Sequence, residues 1–264
     1  MTAGVPPLAA TLIGTSTKSY LGAEAARAWG PTVLGRLQAS GVDPESTYIC
    51  PAFALIPLLR DGFGSGGGLV GAQDVSVHPP GPFTGEVSAP LLAELGVRMV
   101  MAGHPERRRL FGESDDTVLA KVRATAREGM APVVVVGEAV EGESAVAAVS
   151  AQIDAVIGDT DCPGGLVVAY EPAWAIGRDR PAPAEHVVDV VAALRSLLAP
   201  RGDSVRVLYG GSAQPGTFTA IAEAAQGDAQ GVPDGVFLGR AGVDPDSFAD
   251  VATEVWNIRR EQVV

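Results

Sequence analysis

Only two cysteines, Cys50 and Cys162, occur in 264 residues. Neither has a neighbour at metal-ligand spacing, and one possible bridge is not a disulfide framework. A reduced, cytoplasmic setting is therefore expected. Basic residues are outnumbered, with 19 Lys and Arg against 31 Asp and Glu, a formal net charge of −12. That balance argues against nucleic acid and against an anionic membrane surface, since both need a basic patch. It leaves an anionic small molecule open, because backbone amides can cradle a phosphate inside an acidic protein. Aromatic residues make up only 5% of the chain, so the core must be built from small aliphatic side chains. No apolar run reaches the ~20 residues of a membrane-spanning helix. Residues 1–12 lack the basic start and apolar core of a secretion signal.

What is present is a strict alternation. Short apolar runs at 9–14, 47–51, 69–72, 97–102, 132–137, 166–169, 205–209 and 235–239 read as buried parallel strands, bounded by Gly or Pro. Between them, 21–40, 88–95, 117–128, 144–157, 184–198 and 246–258 carry apolar residues three and four apart, as amphipathic helices do. Shorter helices are expected at 55–61 and 216–225. Eight strand–helix pairs predict an α/β chain folded as one (β/α)8 barrel over residues 1–264, close to the ~250 residues such a barrel needs. An open doubly wound sheet is disfavoured. Its glycine fingerprint is missing after the first strand, where the chain reads Gly14-Thr15-Ser16-Thr17-Lys18. The glycine-rich stretch 62–68 is too short for a linker and reads as a loop.

In a barrel of this kind the active site lies at the C-terminal strand ends. Four titratable residues fall there: Lys18, His104, Glu171 and Arg240. Glu171 lies in AYEPAWAIG. A capping or ion-paired carboxylate is as ordinary a reading as a catalytic one, but the apolar stretch Trp174, Ala175, Ile176, Gly177 behind it suits a water-excluding lid. A lone histidine is usually solvated or packed in a core. His104 instead stands where a strand gives way to a helix, with Pro105 suited to the first helical position. A helix N-terminus disfavours imidazolium, so a neutral ring there could hydrogen-bond a substrate carbonyl. Lys18 is a surface lysine, a phosphate cation or a Schiff-base nucleophile, and the sequence does not choose. Two glycine loops follow the last two strands, Tyr209-Gly210-Gly211-Ser212 and Leu238-Gly239-Arg240-Ala241. Barrels often bind phosphate with loops in those two positions.

The segments GAQDVS, GPFTGE, GHPERRRLFGESD, AYEPAWAIG and LYGGSA occur in this order at these strand ends. Through them the chain resembles the triose-phosphate isomerase family over nearly its whole length. The resemblance implies an aldose–ketose isomerase of glycolysis and gluconeogenesis, interconverting dihydroxyacetone phosphate and glyceraldehyde 3-phosphate. It implies Glu171 as the proton-moving base, His104 as the neutral electrophile and Lys18 as an electrostatic anchor oriented by Glu106. Ser16 would contact substrate, amides of Gly177, Ser212 and Gly239 would hold its phosphate, and Tyr209 would support the site. Residues 172–182 would be the lid, with Trp174 in its hinge. A loop between Val75 and Glu86 would enter a second copy, bringing Thr84 near its active site and making a homodimer. The resemblance implies no metal and no organic cofactor.

Four departures from the family pattern stand out. Ser16 stands where Asn is usual, Pro105 where Ser is usual, GRDRPA replaces GTGKTA at 177–182, and Arg240 replaces a glycine. These departures resemble the branch that isomerises erythrulose phosphates. Ser16 would make room for an extra hydroxymethyl group. Arg240 would hold a repositioned phosphate or pair with an acidic neighbour. Two further readings stand beside the isomerase: a non-catalytic sugar-phosphate-binding paralogue, and a barrel aldolase using Lys18 as its Schiff base.

Overall fold

A computed structural model describes residues 6–175 and 181–262. Eight parallel strands close on themselves in sequence order: β1 (Leu12–Ser16), β2 (Thr47–Cys50), β3 (Leu69–Ala72), β4 (Met99–Ala102), β5 (Ala131–Val136), β6 (Leu166–Tyr170), β7 (Val205–Tyr209) and β8 (Gly235–Leu238). β1 completes the circle by pairing with both β2 and β8. The helices are α1 (Ala23–Ser40), α2 (Ile56–Gly62), α3 (Ala89–Glu94), α4 (Pro105–Phe111), α5 (Asp115–Arg127), α6 (Ala145–Val156), α7 (Ala184–Leu198), α8 (Thr217–Ala224) and α9 (Pro245–Gln262).

Closure explains the aliphatic runs. Both faces of every strand are covered, so β5 reads APVVVV and is buried throughout. Alternation then splits the core in two. Leu12, Met99, Met101, Val133, Val167 and Phe237 fill the barrel interior. Their neighbours Ile13, Val100, Val134, Val168 and Val236 face outward onto the helices. Two-residue parity therefore decides what enters the barrel mouth. On β1 it carries from Leu12 through Gly14 and Ser16 toward Lys18, and on β6 from Val167 through Ala169 to Glu171.

The structure corrects the sequence reading of the first strand, which starts at Leu12 and not at residue 9. The preceding residues are apolar for another reason: Leu8 packs into the inner core. There Arg206 holds the carbonyls of Ala9 and Leu8 at 2.7 and 2.9 Å. The chain also inserts α4, a helix that apolar periodicity did not mark, between β4 and α5. Pro31 lies inside α1, whose end is set by Gly41 in the left-handed region (φ 69).

Gly14 shows how tightly the interior is filled. A β-carbon there would enter the ring of Tyr48. That ring is fully buried and stacks on Phe237, with centroids 5.6 Å apart and planes 7° apart. Gly14→Ala should therefore destabilise the fold by roughly 1–3 kcal/mol, the usual range for overpacking, read as a lower urea midpoint at unchanged slope. An unchanged midpoint would show that the Tyr48 ring can move aside.

Candidate active site

Strand parity brings Glu171 to the inner face just past β6, where its amide donates to Val136 O at 2.8 Å. The residue is 5% exposed. Its carboxylate occupies space that Gly210 leaves free, since a β-carbon at Gly210 would lie 2.5 Å from Glu171 Cγ and 2.7 Å from Oε1. Burial pushes the carboxyl up to about 8, with Lys18 opposing and Glu106 reinforcing the rise.

His104 caps α4. Its Nδ1 accepts from the Glu106 amide at 3.1 Å, so the ring proton sits on Nε2. Nε2 faces Glu171 Oε2 at 3.6 Å, too long for a hydrogen bond. Burial lowers the imidazole to about 4, and the positive charge of Lys18 adds to the effect. The ring is neutral and presents an N–H donor.

Lys18 lies two residues past β1 in the left-handed region, φ 46. Its Nζ meets Glu106 Oε1 at 2.6 Å. Burial alone would raise Glu106, but the Lys18 hydrogen bond and charge outweigh it and hold that carboxyl below its usual range. The strained lysine backbone is fixed by Gln73, whose amide nitrogen reaches Lys18 O at 2.9 Å, Cys50 O at 3.0 Å and Thr17 Oγ1 at 3.2 Å. Lys18, His104 and Glu171 thus line one cavity of about 380 Å3 at the C-terminal mouth of the barrel.

A family model described as triosephosphate isomerase matches residues 11–255. The chain belongs to the triosephosphate isomerase family. It is accordingly an isomerase of that type. Relatives include L-erythrulose-1-phosphate isomerase from Pectobacterium atrosepticum, 34% identical over 93% of this chain and 96% of that protein. Triosephosphate isomerase from Alkalilimnicola ehrlichii is 39% identical over 83% of this chain and 88% of its own length. The Bordetella pertussis triosephosphate isomerase is 42% identical over 69% and 73% respectively.

Of the other family positions, Ser16, Ser212, Gly239 and Arg240 line the same cavity. Gly177 and the tip 176–180 lie outside the described residues. The described flanks of that segment bond to the last residue of β7 and to the turn after it. Ser212 Oγ donates to Ala175 O at 2.9 Å, and Tyr209 OH accepts from Ala182 N at 3.1 Å. Ser212 is itself in the left-handed region, φ 52.

Sequence reasoning assigned no role to three residues that matter here. Gln73 lies inside the quoted GAQDVS motif, which was the available signal. Tyr20, beside Lys18 in sequence, lines the cavity. Glu138 is 1% exposed. It receives Trp174 Nε1 at 2.7 Å and the Tyr170 hydroxyl at 3.0 Å, with His186 Nε2 also at 3.0 Å. It therefore fixes both the residue before Glu171 and the start of the segment behind it. Behind α4, Lys121 is buried between Asp74 and Glu113, and Arg107 reaches the same two carboxylates at 2.7 and 2.5 Å.

The two shifted groups give opposite pH signs. Between pH 4.5 and 8 folded Glu171 keeps a proton that the unfolded chain releases, so folding stability falls as pH rises through that window. Unfolded His104 takes a proton near 6.5 that the folded ring refuses until about 4, so that contribution is lost as pH falls. Urea titrations should show wild type losing ground to Glu171→Gln between pH 4.5 and 8. Parallel pH curves for the two proteins would remove Glu171 from the raised acids.

Proposed function

We propose that this chain interconverts a short ketose phosphate and its isomer through an enediolate, with dihydroxyacetone phosphate and glyceraldehyde 3-phosphate as the pair. The observation that carries this is the meeting of a buried carboxylate, a neutral imidazole N–H donor and an ammonium in one cavity. A proton on carbon next to a carbonyl is weakly acidic. Glu171 in its ionised form, made more basic by burial, takes it. The electron pair moves onto the carbonyl oxygen, which His104 Nε2–H and the Lys18 ammonium stabilise as it becomes negative. Glu171 then returns the proton to the neighbouring carbon, while the hydroxyl proton on that carbon's neighbour passes to the former carbonyl oxygen by way of His104 Nε2, so protons change place and none is lost.

Amides of Ser212 and Gly239 suit the phosphate, and Gly177 is assigned the same role by position. Residues 172–182 act as the cover that keeps water from the enediolate, which otherwise expels phosphate. Lys18 is poorly placed as a Schiff-base nucleophile, because an ammonium paired with Glu106 has no free electron pair. A non-catalytic paralogue has no reason to keep all three groups.

A tetrulose phosphate is the second reading. It has one observation of its own: Ser16 Oγ turns back to accept from Lys18 N at 3.3 Å, which leaves room in the cavity it lines. The relative named L-erythrulose-1-phosphate isomerase is consistent with it.

Glu171→Gln should lower kcat by roughly 10²–10⁴-fold, the usual span for a lost general base, with little change in KM. Equal losses in both would count against the role. Side-by-side kcat/KM values for dihydroxyacetone phosphate and the erythrulose phosphates decide between the two substrates, and turnover of neither would end the reading.

A homodimer through the Val75–Glu86 loop belongs to the same proposal. In that loop His78 stacks on Phe83 at 4.0 Å. On α4, Leu110 and Phe111 are 62% and 67% exposed, an apolar surface that a second copy would cover. Phe111→Glu should give a monomer in analytical ultracentrifugation, and an unchanged sedimentation coefficient would move the contact elsewhere.

A further inference from the structure

Among the residues that line the catalytic cavity beside the trio are Tyr20 and Arg240. Tyr20 sits in the turn after Lys18, its amide bonded to Thr17 O at 3.0 Å, with its ring 58% exposed. Arg240 opens a 3-10 turn, Arg240–Val243, directly after β8. Its guanidinium carbon lies 6.0 Å from the centroid of the Tyr20 ring, at the edge of cation–π reach. Among the described residues no carboxylate pairs with Arg240, so the ion-pair role open to it from sequence has no partner.

Charge gives this pair its meaning. The cavity is lined by two carboxylates, Glu106 and Glu171, and by two cations, Lys18 and Arg240. Lys18 is already bound to Glu106 at 2.6 Å, and the His104 ring is neutral. Without Arg240 the side chains would offer an incoming phosphate no uncommitted positive charge. Arg240 is the cation whose hydrogen-bond donors are uncommitted, and its planar fork matches two phosphate oxygens at once. A β-carbon on the adjacent Gly239 would stand 3.6 Å from Lys18 Cε, so the two cations approach the same space from neighbouring strand ends.

We propose that Arg240 is the side-chain ligand of the substrate's phosphate, and that Tyr20 is the positioning residue that holds its guanidinium at the cavity mouth. This rests on the reading above that the substrate is a sugar phosphate. Arg240 then reads the phosphate end, while chain length is decided at the Ser16 end. Triose and tetrulose phosphates gain equally from it.

The test is calorimetric titration of the intact enzyme with inorganic phosphate, alongside steady-state kinetics. Arg240→Gly should weaken phosphate binding by roughly 10- to 100-fold, as expected for losing charge-assisted hydrogen bonds. It should raise KM by a similar factor for every sugar phosphate turned over, with kcat within about threefold. Arg240→Lys should recover part of the binding, because it restores charge without the fork. Tyr20→Phe should bind phosphate as wild type does, and Tyr20→Ala should bind it about threefold more weakly. Wild-type phosphate affinity in Arg240→Gly overturns the proposal, as does a loss confined to kcat. Weakened phosphate binding in Arg240→Gly, with no sugar phosphate isomerised by wild type, would leave the anion site standing and bring down the isomerase reading instead.

Discussion

An ionised carboxylate taken out of water is destabilised by several kcal/mol unless it is paired or takes up a proton. Glu171 meets that condition at the barrel mouth. It is 5% exposed, and His104 Nε2, at 3.6 Å, is a neutral donor too distant to bond it. The features around it follow from that isolation. Gly210 leaves the volume the carboxylate fills. Lys18, the nearby cation, is diverted to Glu106 and so lowers the carboxyl only in part. A base held this way is stronger than a solvated glutamate. The fold loses stability to hold it, a frequent trade at functional sites.

The parts of the fold that local pattern controls were legible. Buried parallel strands must be continuous in apolar residues, and the eight runs located all eight strands. The first was misplaced by three residues, because Leu8 is apolar in order to plug the barrel floor and not to join the sheet. Helix α4 was legible only at its start, Pro105 after His104, and not from apolar periodicity. Its sequence PERRRLF has no buried residue, and Arg107 ties it to Glu113 six residues on and to Asp74 from the loop after β3. Gln73 and Glu138 were likewise opaque. Their partners lie 23 to 56 and 32 to 48 residues away, and no local period encodes such a distance.

The charge balance of the whole chain and that of its cavity point in different directions. A formal charge of −12 spread over the surface would repel a sugar phosphate at long range, although screening limits this to about 10 Å at ordinary ionic strength. Inside the mouth the relevant quantities are single groups: a committed ammonium, an uncommitted guanidinium, and backbone amides after β7 and β8. A net charge read from composition therefore excludes extended polyanions more securely than it excludes a small one.

The end of β7 and the turn after it hold the described residues on either side of 176–180, Tyr209 at Ala182 and Ser212 at Ala175. Any displacement of the 209–212 backbone therefore acts on both attachment points together. The same turn begins at Gly210, against which Glu171 packs. The placement of Glu171 and of these two attachment points is thus set by one short piece of backbone, and a change there would disturb both together.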